Sequence, residues 1–164
     1  MRHTLTAIAA VAASLTFTAV AFGLPAFTTA PKHAGGTGMQ AQISHLRVGC
    51  HATFDRFVVR ARFGQPEYDV RYVRKIVADG SGNTVHLLGR KRLRVRLRNS
   101  RAHTNNGAPL VPNTRTPLCP NLRQVKTAGD FEGIVTFGLG LRHKTGFRVF
   151  RLRHPKRLVV DILH

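Results

Sequence analysis

Apolar and polar residues alternate along this chain with a period of two, and the 3.6-residue period of a helix is almost absent. In Arg56–Phe63 (RFVVRARF), Phe57, Val59, Ala61 and Phe63 share one face while Arg60 and Arg62 share the other. Arg92–Arg98 alternates without interruption: Leu93, Val95 and Leu97 fall on one face and four arginines on the opposite one. Further strands are predicted over 68–77, 85–88, 122–127, 131–141, 147–152 and 158–163. Asp79-Gly80-Ser81-Gly82-Asn83 supplies a turn, so 68–88 reads as a hairpin. Residues 99–121 hold Asn-Asn-Gly and four prolines and predict a long irregular loop. Many short strands separated by turn signals predict an all-β fold, a sandwich or barrel.

The N-terminus breaks this pattern. Arg2 and His3 precede an uncharged, largely apolar stretch from Thr4 to Pro31, the order of charge and hydrophobicity found in a secretory signal. Small residues at the positions a signal peptidase reads occur in Ala19-Val20-Ala21 and Thr28-Thr29-Ala30; cleavage after Ala30 is the expectation, giving a signal peptide over 1–30. The alternative is an uncleaved anchor, since Ala7–Phe27 comes close to the roughly 20 apolar residues that span a bilayer. Pro31–Gln42, rich in glycine and small residues, is expected to be a flexible linker, followed by one β domain over 43–164. An exported chain with two cysteines predicts one disulfide, Cys50–Cys119, with two buried thiols as the alternative.

Charge changes the functional picture most. Lysine and arginine number 26 against 7 acids, a formal net charge of +19, and only six of the cations are lysine. Such a chain attracts polyanions: nucleic acid, anionic lipid or phosphate polymers of a wall. The candidate binding residues are Arg92, Arg94, Arg96 and Arg98, whose stripe Arg90, Lys91 and Arg101 extend. The competing expectation is a solvated face on an edge strand. Tyr68 and Tyr72 are the next candidates.

Enzyme chemistry finds no motif. The nine histidines show no metal-ligand spacing, no nucleophile elbow or phosphate loop is present, and no metal or cofactor is expected. His51, beside Cys50, is the one histidine that stands out, and a packed, hydrogen-bonded role is expected for it. Asp55, Asp130, Glu132 and Asp161 are expected to hold fixed partners such as Arg56 and Arg157, or backbone amides at turns.

Several runs resemble one family in a shared order. His154-Pro155-Lys156-Arg157-Leu158-Val159-Val160-Asp161-Ile162 is similar to the final strand of AMIN domains, the non-catalytic modules of some cell-wall amidases. His51–Arg56, Pro66–Val73, Asp79–Gly82 and Gly129–Gly133 leading to Gly138-Leu139-Gly140 extend the resemblance to AMIN-like domains of small exported bacterial proteins, over about 44–164. The resemblance implies a β-sandwich and a secreted, envelope-associated, non-catalytic protein. The expected partner is peptidoglycan or an anionic wall polymer, not a small-molecule substrate. The alternative is a generic extracellular binder of polyanions, nucleic acid or anionic lipid included.

Overall fold

The computed structural model describes residues 23–164, so the predicted signal segment lies outside it as far as residue 22. Strands follow in chain order: β1 (Lys32–Ala34), β2 (Ala41–Cys50), β3 (Phe54–Ala61), β4 (Glu67–Val73), β5 (Ile76–Val77), β6 (Thr84–Val85), β7 (Lys91–Arg98), β8 (Ser100–Arg101), β9 (Thr114–Arg115), β10 (Leu122–Phe131), β11 (Ile134–Leu141), β12 (Phe147–Leu152) and β13 (Arg157–Leu163). No helix occurs among the described residues. A six-stranded sheet runs β1-β4-β7-β11-β10-β9 and a five-stranded sheet runs β12-β13-β3-β2-β8. Every pairing is antiparallel except β2 with β8.

The two sheets enclose one core, as alternation requires. Leu93, Val95 and Leu97 of β7 are fully buried beside Phe137 and Leu139 of β11, facing Phe57 and Val59 of β3 and Leu158, Val160 and Ile162 of β13. The rings of Phe57 and Phe137 meet across the sandwich at 5.5 Å. Cys50, at the end of β2, is joined to Cys119, just before β10.

Two predicted elements differ from the structure. The strand expected over 131–141 starts only at Ile134, because Glu132 (φ 48°) and Gly133 (φ 74°) form a two-residue hairpin turn whose positive φ angles match the twist of β10 and β11. The hairpin expected over 68–88 is broken after Val73, and β5 and β6 form a separate ribbon laid over the outer face of the six-stranded sheet. There Ile76 and Leu87 join Ala128 in a second small core. Gly138 and Gly140 make this possible: a Cβ on Gly140 would sit 2.0 Å from the Leu88 carbonyl oxygen, and one on Gly138 would sit 2.9 Å from Leu87. The 99–121 loop is mostly irregular as expected, with β8 and β9 as short paired pieces.

The expected flexible linker is a correction of larger consequence. Lys32–Ala34 pairs with Tyr68–Val70 as an edge strand, and Ala41 and Gln42 are buried in β2, so much of 31–42 belongs to the fold. Residues before Pro31 also engage it. Thr28 and Phe147 exchange two backbone hydrogen bonds of 3.1 and 2.9 Å, and the Arg148 guanidinium lies 4.4 Å from the Phe27 ring. Cleavage after Ala30 would remove these contacts, whereas cleavage after Ala21 would keep them. A chain beginning at Pro31 is expected to be less stable than one beginning at Gly23 by about 2 kcal/mol. That corresponds to a fall in Tm of about 6 °C. Equal melting temperatures for the two chains would show that Phe27 and Thr28 contribute nothing.

Candidate functional site

The arginine stripe is neither a free face nor an edge. β7 is the third of six strands, between β4 and β11. Arg92, Arg94, Arg96 and Arg98 do share its outer face, but carboxylates on neighbouring segments meet three of them. Arg94 Nη2 lies 3.2 Å from Asp69 Oδ1, Arg96 Nη2 lies 3.2 Å from Asp79 Oδ1, and Arg98 Nη1 lies 3.4 Å from Glu67 Oε1. Arg92 donates instead to the carbonyl oxygens of Leu87, Gly89 and Lys91. The β5–β6 ribbon thus covers part of the stripe and answers its charge through Asp79.

Asp69 is the hinge of this network, accepting from Arg71 and Arg94. Burial works to raise its pKa, but the hydrogen bonds from the two guanidiniums outweigh burial and hold it below the ordinary 3.8. Because the folded value is depressed, the stability this carboxylate contributes is complete above the ordinary value and is lost as pH falls through the lower folded one. Carbon-detected NMR titration is expected to show Asp69 protonating below 3.8. A midpoint at or above that value would contradict the pairing.

Tyr68 and Tyr72 stand on the opposite face of the same sheet from the arginines. They pair with Leu97 and Leu93 and pack against the core. The Tyr72 hydroxyl donates to the Thr145 carbonyl at 2.9 Å and accepts from the Thr145 amide at 3.1 Å; burial pushes its pKa up. Tyr68 lies 4.9 Å from the Arg151 guanidinium. The six residues predicted as binding candidates are therefore not one site.

The outer face of the five-stranded sheet is organised differently. Strand register places Arg148, Asp161 and Arg56 in one row across β12, β13 and β3. Asp161 is fully buried and receives both guanidiniums, Arg56 through Nε at 2.6 Å and Nη2 at 2.9 Å, and Arg148 through Nε at 2.9 Å. Phe27, Phe54 and Phe150 stack around the two arginines at 4.4 to 5.8 Å. The hydrogen bonds to Asp161 outweigh burial and raise the Arg56 pKa. Asp161 thus takes the arginine partner expected of it, Arg56. Asp55 takes backbone amides, from Asn121 at 2.8 Å and Leu122 at 2.6 Å, fixing the chain beside the disulfide.

Further along the same face, register aligns Arg157, Arg60 and His45 across β13, β3 and β2, with Arg47 one position on. None of these four has a carboxylate within ion-pair distance among the described residues, so Arg157 lacks the acidic partner expected for it. They surround a hollow of about 190 Å³ with Val58 and Pro155. On the other side of the β12–β13 turn, Arg151, Arg153, His154 and Lys156 line a second hollow of about 500 Å³. Sequence reading missed the first of these clusters: His45, Arg47, Arg60 and Arg157 lie on three strands that pairing alone brings together, whereas Arg153, His154 and Lys156 of the second lie in the β12–β13 turn.

Nothing in this arrangement has the form of a catalytic or metal centre. His103 Nδ1 meets Asp130 Oδ2 at 2.7 Å, and His51 is exposed and stacks on Phe54 at 4.6 Å, not the packed, hydrogen-bonded histidine expected. Among the described residues, the one group of potential metal ligands is Cys50, Asp55 and Cys119, whose sulfurs are committed to the disulfide.

No protein of curated function and no solved structure matches the chain. The family model of the AMIN-like domain matches residues 41–164, from the first residue of β2 to the end of β13, and the chain belongs to the AMIN-like domain family.

Proposed function

We propose that this protein is an exported, non-catalytic module that binds peptidoglycan or the anionic polymers attached to it, through the basic outer face of its five-stranded sheet. AMIN-like domains are non-catalytic modules related to those of cell-wall amidases and occur in exported, wall-associated proteins. The Cys50–Cys119 bond fits an oxidising compartment. The single observation that carries the reading is the segregation of charge. Glu67, Asp69 and Asp79 answer the arginines of the six-stranded sheet, while His45, Arg47 and Arg60 are exposed and Arg157 half-buried, with no acid within ion-pair distance among the described residues. An anion approaching the first surface must displace carboxylates. On the second it need displace only water and salt ions.

Retention of the protein on purified bacterial wall sacculi, before and after chemical removal of their anionic polymers, tests this. Binding to intact sacculi that falls on stripping is expected. Absence of binding to either preparation would overturn the function. The net charge of +19 keeps a second reading in view, a generic binder of polyanions. Such a protein would lose affinity steeply and equally with salt for wall polymer, nucleic acid and anionic vesicles. An envelope module keeps its preference for wall polymer as salt rises.

A further inference from the structure

We infer that the hollow bounded by His45, Arg47, Arg60 and Arg157 is a phosphoryl-binding site that grips phosphodiester groups of a wall polymer. This site deepens the envelope function proposed above and rests on it.

The first support is positional. Arg157 stands opposite Arg60, and Arg60 stands opposite His45, on one face of three adjacent strands. Directly opposed side chains on neighbouring strands lie about 5 Å apart, and like charges so placed repel. Elsewhere the protein relieves such rows with acids: Asp161 sits between Arg56 and Arg148, and Asp69 beside Arg94 and Arg71. This row has no acid among the described residues, so an anion from outside relieves it.

The second support is unused hydrogen-bonding capacity. Arg157 Nε is buried with no partner, and no protein acceptor holds the side chains of Arg47, Arg60 or Arg157 among the described residues. An anion that lets the Arg157 fork turn toward it supplies an acceptor that the protein does not. The guanidinium fork matches two oxygens of a phosphoryl group. His45 Nδ1 lies 3.0 Å from Ser44 Oγ, which leaves Nε2 as the ring nitrogen that can meet a ligand.

The third support is size and floor. At about 190 Å³ the hollow is smaller than the roughly 300–1,000 Å³ of sites that enclose drug-sized molecules. It suits one phosphoryl group with its ester substituents lying against Val58 and Pro155. The other basic hollows are larger: two of about 500 Å³ each have an arginine already held by backbone, Arg123 by the Leu118 and Cys119 carbonyls and Arg151 by those of Gly35 and Pro66, and one of about 420 Å³ shares Arg47 with this site and adds Arg115.

Two measurements test the site separately from the function. Inorganic phosphate titrated into the isotope-labelled full domain, with chloride matched for ionic strength, is expected to shift the amide signals of residues 45–47, 58–60 and 155–157. Shifts centred elsewhere, or none beyond chloride, would overturn the site. Affinity for poly(glycerol phosphate) is then compared in two variants of equal charge, Arg60→Ser with Arg157→Ser, and Arg90→Ser with Arg142→Ser. Loss of two charge-assisted contacts predicts a fall of about tenfold or more in the first. The second, altering exposed arginines around another hollow, should change affinity by no more than about twofold, the part due to net charge. Equal falls in both would show that charge alone governs binding and would overturn the site. If phosphate maps to the hollow but the wild type fails to bind sacculi, the site stands and the envelope function falls.

Discussion

Replacing Asp161 with Asn is expected to cost the fold about 3 kcal/mol. The carboxylate is fully buried and takes four short contacts from two guanidiniums, which have no means of neutralising themselves. An asparagine has the same shape but only one acceptor oxygen, and its amide group would present hydrogen atoms to one of the two cations. Arg56 is 29% exposed and Arg148 14%, so water recovers part of the loss for the first and little for the second. Three aromatic rings hold both guanidiniums in place and restrict their escape. Removing all three charges together, with Asp161→Leu, Arg56→Met and Arg148→Leu, should recover most of the stability, because a buried ion cluster and an apolar cluster of similar volume are often near parity. Urea unfolding at constant m-value reads both variants. A wild-type midpoint for Asp161→Asn would mean that the cluster contributes nothing to the fold.

The strands were legible because period-two alternation is a local property, and the residues of β3 and β7 divide between the core and the outer faces as their alternation predicts. What alternation cannot carry is which strand lies beside which. The Arg92–Arg98 face was read correctly as one face, yet its meaning reversed once β4 brought Glu67 and Asp69 alongside and the β5–β6 ribbon brought Asp79 over it. A partial signal existed: Glu67 and Asp69 alternate in phase with Arg71, so acids and bases had to share the outer face of that strand. The glycines at 138 and 140 mark the place where a second layer presses onto the sheet, which nothing in the local pattern of β11 signals.

The candidate site was hidden for the same reason. His45, Arg60 and Arg157 come from three strands far apart in sequence, and nothing local distinguishes them from the other cations of a chain with net charge +19. Finding them required the complement of the basic count, namely where the seven acids go. Asp55 holds backbone amides, Asp130 holds His103, Asp161 holds two arginines, and Glu67, Asp69 and Asp79 answer the stripe. Glu132 lies exposed at the β10–β11 turn. Six of the seven acids are thus committed elsewhere, and the row of Arg157, Arg60 and His45 is left without one among the described residues.

Loss of the Cys50–Cys119 bond is expected to be the most damaging covalent change. The cross-link spans a sequence separation of 69 residues. Releasing a loop of that length from the unfolded chain corresponds to about 4 kcal/mol in the chain-entropy account. Against a typical total of about 5–15 kcal/mol, that is a large share. The native state is tied at the same place by other means, since the amides of Asn121 and Leu122 bind Asp55. The folded structure is therefore expected to persist without the bond, at reduced stability. Cys50→Ala with Cys119→Ala and the reduced wild type should not be equal. Asp55 Oδ1 is buried without a hydrogen-bond partner, and a carboxylate oxygen of Asp55 lies within 4.8 Å of both sulfurs. In the reduced protein a thiol can donate to that oxygen, a bond that alanine cannot make. The reduced wild type should accordingly be more stable than the double-alanine variant by about 1 kcal/mol. Denaturant unfolding of the oxidised, reduced and alanine forms is expected to give that order. An alanine variant within 1 kcal/mol of the oxidised protein would show that the bond does not stabilise the fold through its loop.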